Sequence, residues 1–392
     1  MKTPFLVAFV IGLLAGPGAN ATIQHPRKRR HTAAAATHRA AAAPIVRVAT
    51  QTPRPVTAAP APAAVVIRGG PWTEPTYADS TVGDMVDGED LVIRRAAVEA
   101  LGPYNGSVVA VDPNTGRILT MVNQRVALGT GFQPCSTIKV AVALAGLSEK
   151  AIKPANRFRL GTLRMDLTYA LAHSNNYYFA TLGEKLGFEK ISHYAHLFGY
   201  GERAGLNVAG EQSGAFPSAV PRNGGVGMLC SFGEEIAQTP LQLAALMSAI
   251  ANGGTLYYLQ YPHDQDEARN FVPLVKRKLE IGSLILVIKP GMRGAVQFGT
   301  AHRAREDGPI AGKTGTCSEN YTHLGWFGSF NDVGPRKLVV VVLLTGGRPA
   351  IGPLAAGIAG DMYRRLGEQK YFAASQPFAP ATLISRQICC AK

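Results

Sequence analysis

The run GSVVAVDPNTGRILTMV, residues 106–122, sets two β-branched apolar stretches on either side of Asp112-Pro113-Asn114-Thr115-Gly116, which predicts two strands joined by a turn. From Ser136 to Lys150 the apolar positions recur at helical spacing. Helical patterns dominate from Leu167 to about Gly254. One of these helices has both ends marked: Thr239-Pro240 opens it, with proline in the first turn, and Asn252-Gly253-Gly254 closes it. After Gly312 the pattern returns to strands, with HLGWFGSF and KLVVVVLL joined through the turn cluster NDVGPR. A last amphipathic helix is expected from about Ala355 to Leu366.

Strand patterns therefore lie at both ends of the folded part, with a helical block between them. The fold class expected is α/β: an antiparallel sheet built from both ends of the chain, flanked by helices, with an inserted all-α subdomain. No internal repeat is visible.

Composition changes this picture mainly at the termini. The chain has 392 residues, 46% of them hydrophobic, enough to bury a full core. Its formal charge of +14 is unevenly placed: nine of forty basic residues precede Glu74 in a stretch without acids, leaving 31 basic against 26 acidic residues. The folded part thus lacks a nucleic-acid footprint, and nucleic acid is not expected as a partner. Residues 1–21 carry Lys2, an apolar run from Phe5 to Ala15 and an Ala19-Asn20-Ala21 ending, the pattern of a cleaved signal peptide. A short membrane anchor through residues 5–20 is the rival reading. The run falls below the roughly 20 residues of a bilayer span, and Arg27-Lys28-Arg29-Arg30 follows it on the wrong side. Either way the chain is expected to be exported, to a periplasmic or cell-envelope location. Residues 22–70 are Ala- and Pro-rich with scattered arginine and read as a disordered linker. The linker is a solvated tether in one reading and a contact with membrane or wall in the other. The folded domain is expected over residues 85–370 and a tail over 371–392.

Three short motifs occur in order: Ser136-Thr137-Ile138-Lys139, Ser174-Asn175-Asn176 and Lys313-Thr314-Gly315-Thr316. Each alone is weak. A phosphate loop at the third fails, because its first glycine falls at Asp307 and strands follow where a helix is needed. The nine histidines show no ligand spacing, so neither metal nor cofactor is expected. His173 reads as a capping or packing residue, and Trp326-Phe327 as packing under the sheet. Ser136 and Lys139, three apart on one helix, share a face, so a desolvated Lys139 can take the serine proton.

Together the three motifs resemble the set of penicillin-binding proteins and serine β-lactamases. The segments SNNYYFATLGEKLGFEKISHYAHLFGYGERAGLNVAGE, AQTPLQLAALMSAIANGG and IAGKTGTCSENYTHLGWFGSF extend the resemblance to the transpeptidase domain of penicillin-binding proteins, over roughly residues 90–366. The resemblance implies a DD-peptidase/β-lactamase-like fold and serine acyl transfer on the D-Ala-D-Ala stem peptides of peptidoglycan, with β-lactams as covalent inhibitors. It assigns Ser136 as nucleophile, Lys139 as base and Ser174 as proton relay. It places Asn176, Lys313, Thr314, Gly315 and Thr316 in substrate binding, and the backbone N–H groups of Ser136 and Thr316 in the oxyanion hole.

Two features depart from the family pattern. The interval from Lys139 to Ser174 is short, implying a trimmed helical lobe, and Cys135 stands where a small glycine commonly precedes the nucleophile. The length leaves a stand-alone transpeptidase-type domain on a tether as the expectation, without a glycosyltransferase domain. A serine β-lactamase is the first alternative. A class A enzyme needs a further glutamate in an ExxLN pattern, and Glu202 precedes Leu206-Asn207 with one residue too many. A non-enzymatic β-lactam sensor is the second. Carbapenem-hydrolysing class A β-lactamases are similar in carrying a disulfide at the two places occupied by Cys135 and Cys317, which implies that bridge here. The other reading is two free, buried cysteines. Cys230, Cys389 and Cys390 remain, an odd number.

Overall fold

A computed structural model describes residues 73–373 apart from 155, 156, 162, 306–308, 333 and 335. The expected signal or anchor, the linker to residue 70 and the tail from 374 lie outside the described residues.

In chain order the elements are α1 (Leu91–Leu101), β1 (Gly106–Val111), β2 (Ile118–Val122), α2 (Gln124–Ala127), a 3-10 turn at Cys135–Ile138, and α3 (Lys139–Ser148). There follow β3 (Phe158–Leu160), β4 (Leu163–Met165), α4 (Leu167–Ala172), α5 (Asn176–Leu186), α6 (Phe188–Leu197), α7 (Gly225–Phe232) and α8 (Pro240–Asn252). The chain continues through β5 (Thr255–Tyr257), α9 (Gln265–Arg269), β6 (Val275–Lys278), α10 (Gly282–Gln297), a 3-10 turn at His302–Ala304, β7 (Ile310–Glu319), β8 (Thr322–Asn331), β9 (Val339–Gly346) and α11 (Gly352–Glu368).

Five strands form one sheet in the order β2-β1-β9-β8-β7, all neighbours antiparallel. The pairing of β1 with β9, Val108 opposite Val342, joins the two ends of the folded part. Both faces of the sheet are covered. Val109, Val341, Leu343 and Trp326 pack toward the helical insert, and Val108, Val340, Val342 and Phe327 pack toward α1 and α11. Double coverage explains why β9 reads as an unbroken apolar run rather than an alternating one, since neither face needs polar residues for water.

The insert is mainly helical, as the sequence pattern indicates, with an addition. Two short ribbons, β3–β4 and β5–β6, lie within it. Strands of three or four residues are too short to show a period of two, so the pattern does not reveal them. At its centre α3 is buried from Lys139 to Leu147, consistent with a helix apolar on all sides. The start of α8 forms the expected cap. Thr239 Oγ1 accepts from the Gln242 amide at 3.1 Å while the Gln242 side chain accepts from the Thr239 amide at 2.9 Å.

Packing also extends beyond the expected boundaries of 85 and 370. The Thr73 amide donates to Tyr321 O and the Asn105 amide to Thr76 O, while the Tyr371 hydroxyl donates to Asp90.

Candidate active site

Ser136 sits in the 3-10 turn that feeds α3, one residue after Cys135, whose φ is 51°. That left-handed backbone suits glycine and costs an L-residue about 1–2 kcal/mol. The turn is fastened from several sides. Cys135 is joined to Cys317 on β7 by a disulfide, with Cα atoms 5.6 Å apart. Trp326 Nε1 donates to Gln133 O at 2.9 Å, and the Gln133 amide donates to Glu319 at 2.9 Å. Gly315 permits the close approach: a Cβ there would lie 2.8 Å from Pro134 O and 3.2 Å from Thr137 Cγ2.

Lys139 opens α3 and is fully buried. Its Nζ lies 3.0 Å from Ser136 Oγ, 2.8 Å from Ser174 O and 3.1 Å from Ser174 Oγ, and within hydrogen-bond reach of Asn176 Oδ1. One amine thus gathers residues from the first two motifs. The rings of Phe179 and Phe232 stand 5.7 and 5.9 Å from it. Burial lowers the Lys139 pKa from its ordinary 10.5 to about 7, so an uncharged fraction exists at neutral pH.

Ser174 occupies the turn between α4 and α5 with φ 54°. The turn is held by Asn175, whose side chain caps α5 by accepting from the Tyr178 amide at 2.8 Å. Asn176 is thereby the first residue of α5, with its side chain toward Lys139, and Ser231 Oγ donates to its carbonyl at 2.9 Å.

The third motif lies on β7, the edge strand. Lys313 is fully buried, and its Nζ donates to Thr314 O at 3.0 Å. Burial first, and the nearby charge of Lys139 second, hold its pKa well below the usual lysine value. Thr314 and Thr316 are on the opposite strand face from Lys313 and Gly315. Thr314 Oγ1 lies 2.6 Å from Thr300 Oγ1, and Thr316 Oγ1 accepts from the Gly352 amide at 2.9 Å. Gly315, expected among the substrate-binding residues, lies against Pro134 and Thr137 and sets how near β7 comes to the serine turn.

The structure therefore links Ser136, Lys139, Ser174 and Asn176 by direct hydrogen bonds, and brings Lys313–Thr316 beside them through the serine turn. Sequence reading missed the surroundings: Phe179, Phe232, Ser231 and Thr300. Nothing in the sequence distinguishes those aromatics from ordinary core residues. His173 behaves as the bland reading expects, with ring contacts to Tyr169 and Phe298 at 4.2 and 5.8 Å. Among the described residues no helix is long and apolar enough to cross a membrane.

A helical lobe set against a five-stranded antiparallel sheet, with a serine–lysine pair where a 3-10 turn enters the central helix, has the architecture of the DD-peptidase class. Residues 106–364 match the family described as the penicillin binding protein transpeptidase domain, and the chain belongs to that family. Among curated relatives, Stage V sporulation protein D of Bacillus subtilis is 27% identical over 310 residues, covering 68% of this chain and 48% of that protein. Peptidoglycan D,D-transpeptidase MrdA of Haemophilus influenzae is 24% identical over 355 residues, covering 68% and 54%. The chain spans about half the length of these curated relatives. The crystal structure of Pseudomonas aeruginosa PBP2 in complex with WCK 5153 shares the fold, with a TM-score of 0.62 at 24% identity over 76% of this chain and 78% of that one.

Proposed function

We propose that this protein is a peptidoglycan D,D-transpeptidase of the cell envelope that works through an acyl-enzyme on Ser136. The observation that carries the reading is the buried Lys139 amine, 3.0 Å from Ser136 Oγ and with a pKa near 7. An uncharged Lys139 accepts the Ser136 proton as Oγ bonds to the penultimate D-alanine carbonyl. The backbone N–H groups of Ser136 and Thr316 receive the developing oxyanion. When the peptide C–N bond breaks, the departing D-alanine amine takes a proton from Lys139 through Ser174, whose Oγ is 3.1 Å from Nζ. Asn176 holds the stem peptide's amide. Lys313, Thr314 and Thr316 hold its terminal carboxylate, which supplies the negative charge that the two neighbouring buried lysines lack. A second amine then attacks the ester, loses a proton to Lys139, and returns Ser136 to its hydroxyl form. Water in place of that amine gives carboxypeptidase activity.

The same acylation occurs in β-lactamases, which differ in deacylation. The carboxylate nearest to their pattern, Glu202, is engaged with Lys276 and Arg277, which favours a long-lived acyl-enzyme with β-lactams. Export fits this reading, because stem peptides lie outside the cytoplasm.

The test is incubation with labelled penicillin and with wall peptides. A stable one-to-one adduct mapped to Ser136 by mass spectrometry, together with cross-linked peptide products, is expected. Rapid penicillin turnover, or an adduct that persists in Ser136→Ala, would overturn the assignment.

A further inference from the structure

The short interval between Lys139 and Ser174 contains a stretch that the three motifs leave unused. From Lys150 to Arg164 the chain holds five basic residues and no acid. This stretch leaves the end of α3 and forms the β3–β4 ribbon. The ribbon's apolar side chains turn inward: Leu160 is buried, and the Phe158 ring lies 5.3 Å from that of Tyr178 on α5. The other face carries Arg159 and Arg164, which are exposed and directly opposite one another. Like charges so placed repel and weaken the pairing.

Beside the ribbon lies a cavity of about 560 Å³ whose charged lining is Lys150, Lys153, Arg157, Arg159 and Lys185, without a carboxylate. All five cations are exposed. Among the described residues neither they nor Arg164 form an ion pair. The acids next to them in sequence are engaged or turned away: Glu149 pairs with Lys190, and the Glu184 carboxylate faces α7, 3.1 Å from where a Cβ on Gly227 would stand. Ordinary duties account for two of the cations. Lys150 and Lys185 stand at the C-terminal ends of α3 and α5, where a cation offsets the helix dipole, and Lys185 also donates to Ala151 O at 2.9 Å. Arg159 Nε donates to Gly161 O at 3.3 Å, which leaves the rest of its guanidinium for another acceptor. The charges of Lys153, Arg157, Arg159 and Arg164 have no counterpart among the described residues.

We propose that this ribbon and cavity form a binding site, outside the catalytic cleft, for a linear polymer bearing repeated phosphate groups. The arrangement selects each part of that description. Facing arginines need one anion that accepts from two guanidinium forks, and tetrahedral phosphate oxygens do this where a planar carboxylate matches a single fork. Arg164 is not part of the cavity lining, so the cations extend from the cavity onto the ribbon, and a chain of phosphates spans both where a single phosphate would meet only some. A membrane surface fits less well. The cations surround a concavity, and the apolar side chains between them, Ile152, Phe158 and Leu160, are buried or half-buried, so none is presented for insertion among lipids. Because the ribbon packs on α5, whose first residue is Asn176, a polymer held there lies against the lobe that carries the serine–lysine pair.

The experiment measures binding of the full chain to fluorescently labelled linear polyphosphate over a range of salt concentrations. Wild type is compared with Lys153→Gln/Arg157→Gln/Arg164→Gln and with a charge-matched control, Arg95→Gln/Arg203→Gln/Lys278→Gln, at exposed positions elsewhere. The basic linker before Glu74 is the same in all of them, so its contribution does not distinguish them. Three lost phosphate contacts correspond to affinity lower by about tenfold or more at low salt, and to a dependence of log K on log salt shallower by about two. That result is expected for the ribbon variant, with a change under about threefold in the control and in the charge-keeping Arg157→Lys/Arg164→Lys. The ribbon variant should melt no lower than wild type, since Arg164→Gln removes a repulsion. Equal losses in the ribbon variant and the control, or no loss in the ribbon variant, overturn the site. Phosphatidylglycerol vesicles form the second arm: sedimentation that needs the ribbon cations, with polyphosphate binding that does not, would assign the face to a membrane and overturn the polymer reading. Binding requires no acylation, so these outcomes are independent of the fate of Ser136.

Discussion

Cys135 and Cys317 are bonded across 182 residues of sequence, with their Cα atoms 5.6 Å apart. The bridge joins the residue before Ser136 to the residue after Thr316, and so ties together the two backbone segments proposed to form the oxyanion hole. It also sits where the backbone is strained, since Cys135 has φ 51°.

Breaking this bridge has two separable consequences. In the chain-entropy model a loop of this length contributes about 5 kcal/mol, so Cys317→Ser should lower unfolding stability by up to that amount in denaturant titrations. In a Cys317→Ser background, Cys135→Gly should then be more stable than Cys135→Ser by about 1–2 kcal/mol, because glycine removes the left-handed penalty. Equal stability of those two variants would show that the φ at 135 relaxes once the bridge is gone.

The acid limb of acylation should report Lys139. Its pKa of about 7 makes the uncharged base available above that value, so the rate should fall about tenfold per pH unit below it. Lys139→Ala should lose acylation by several orders of magnitude while circular dichroism stays native-like. A flat profile between pH 5 and pH 8, measured by stopped-flow labelling, would mean that another group is the base.

Phe232 provides a graded version of the same test. Its ring lies 5.9 Å from Lys139 Nζ, near the limit at which a ring face favours a cation, so the water it excludes is the larger effect. Phe232→Ala should admit water, raise the lysine pKa and move the acid limb upward by about one pH unit. A limb that moves downward would mean that the ring face stabilises the ammonium more than hydration does.

Gly315→Ala should act as a wedge. The added methyl meets a backbone oxygen at 2.8 Å and the Trp326 Cβ at 3.1 Å, both on elements that cannot swing aside. The expected cost is about 1–3 kcal/mol of stability, with acylation lowered further as β7 is pushed from the serine turn. Thermal unfolding and labelling rates check the two effects separately.

Much of this was legible before any tertiary contact was known. The two β-branched runs around Asp112–Gly116, the capped helix from Pro240 to Asn252 and the apolar run of β9 are local signals, because periodicity and turn chemistry act within a few residues. The three motifs were also legible, because their order along the chain is itself the signal. The short ribbons β3–β4 and β5–β6 were not, for want of length. Neither was the packing of Thr73 to Asp84 and of Tyr371, which depends on surfaces formed by distant residues.

By itself, the sequence determined which side chains are available for chemistry and which segments become strands or helices, since both follow from residue type and spacing. Only the tertiary structure decided what those side chains are. Lys139 becomes a partly uncharged amine because Phe179, Phe232 and the rest of the helical lobe remove its water. Gly315 becomes a point of close approach because the serine turn lies upon it. Thr300 acquires a partner because Gly299 lets its segment reach both Ala172 and Thr314. Desolvation and close packing are properties of the space around a residue, and that space is filled by residues far away along the chain, as Phe232 is from Lys139 and Pro134 from Gly315.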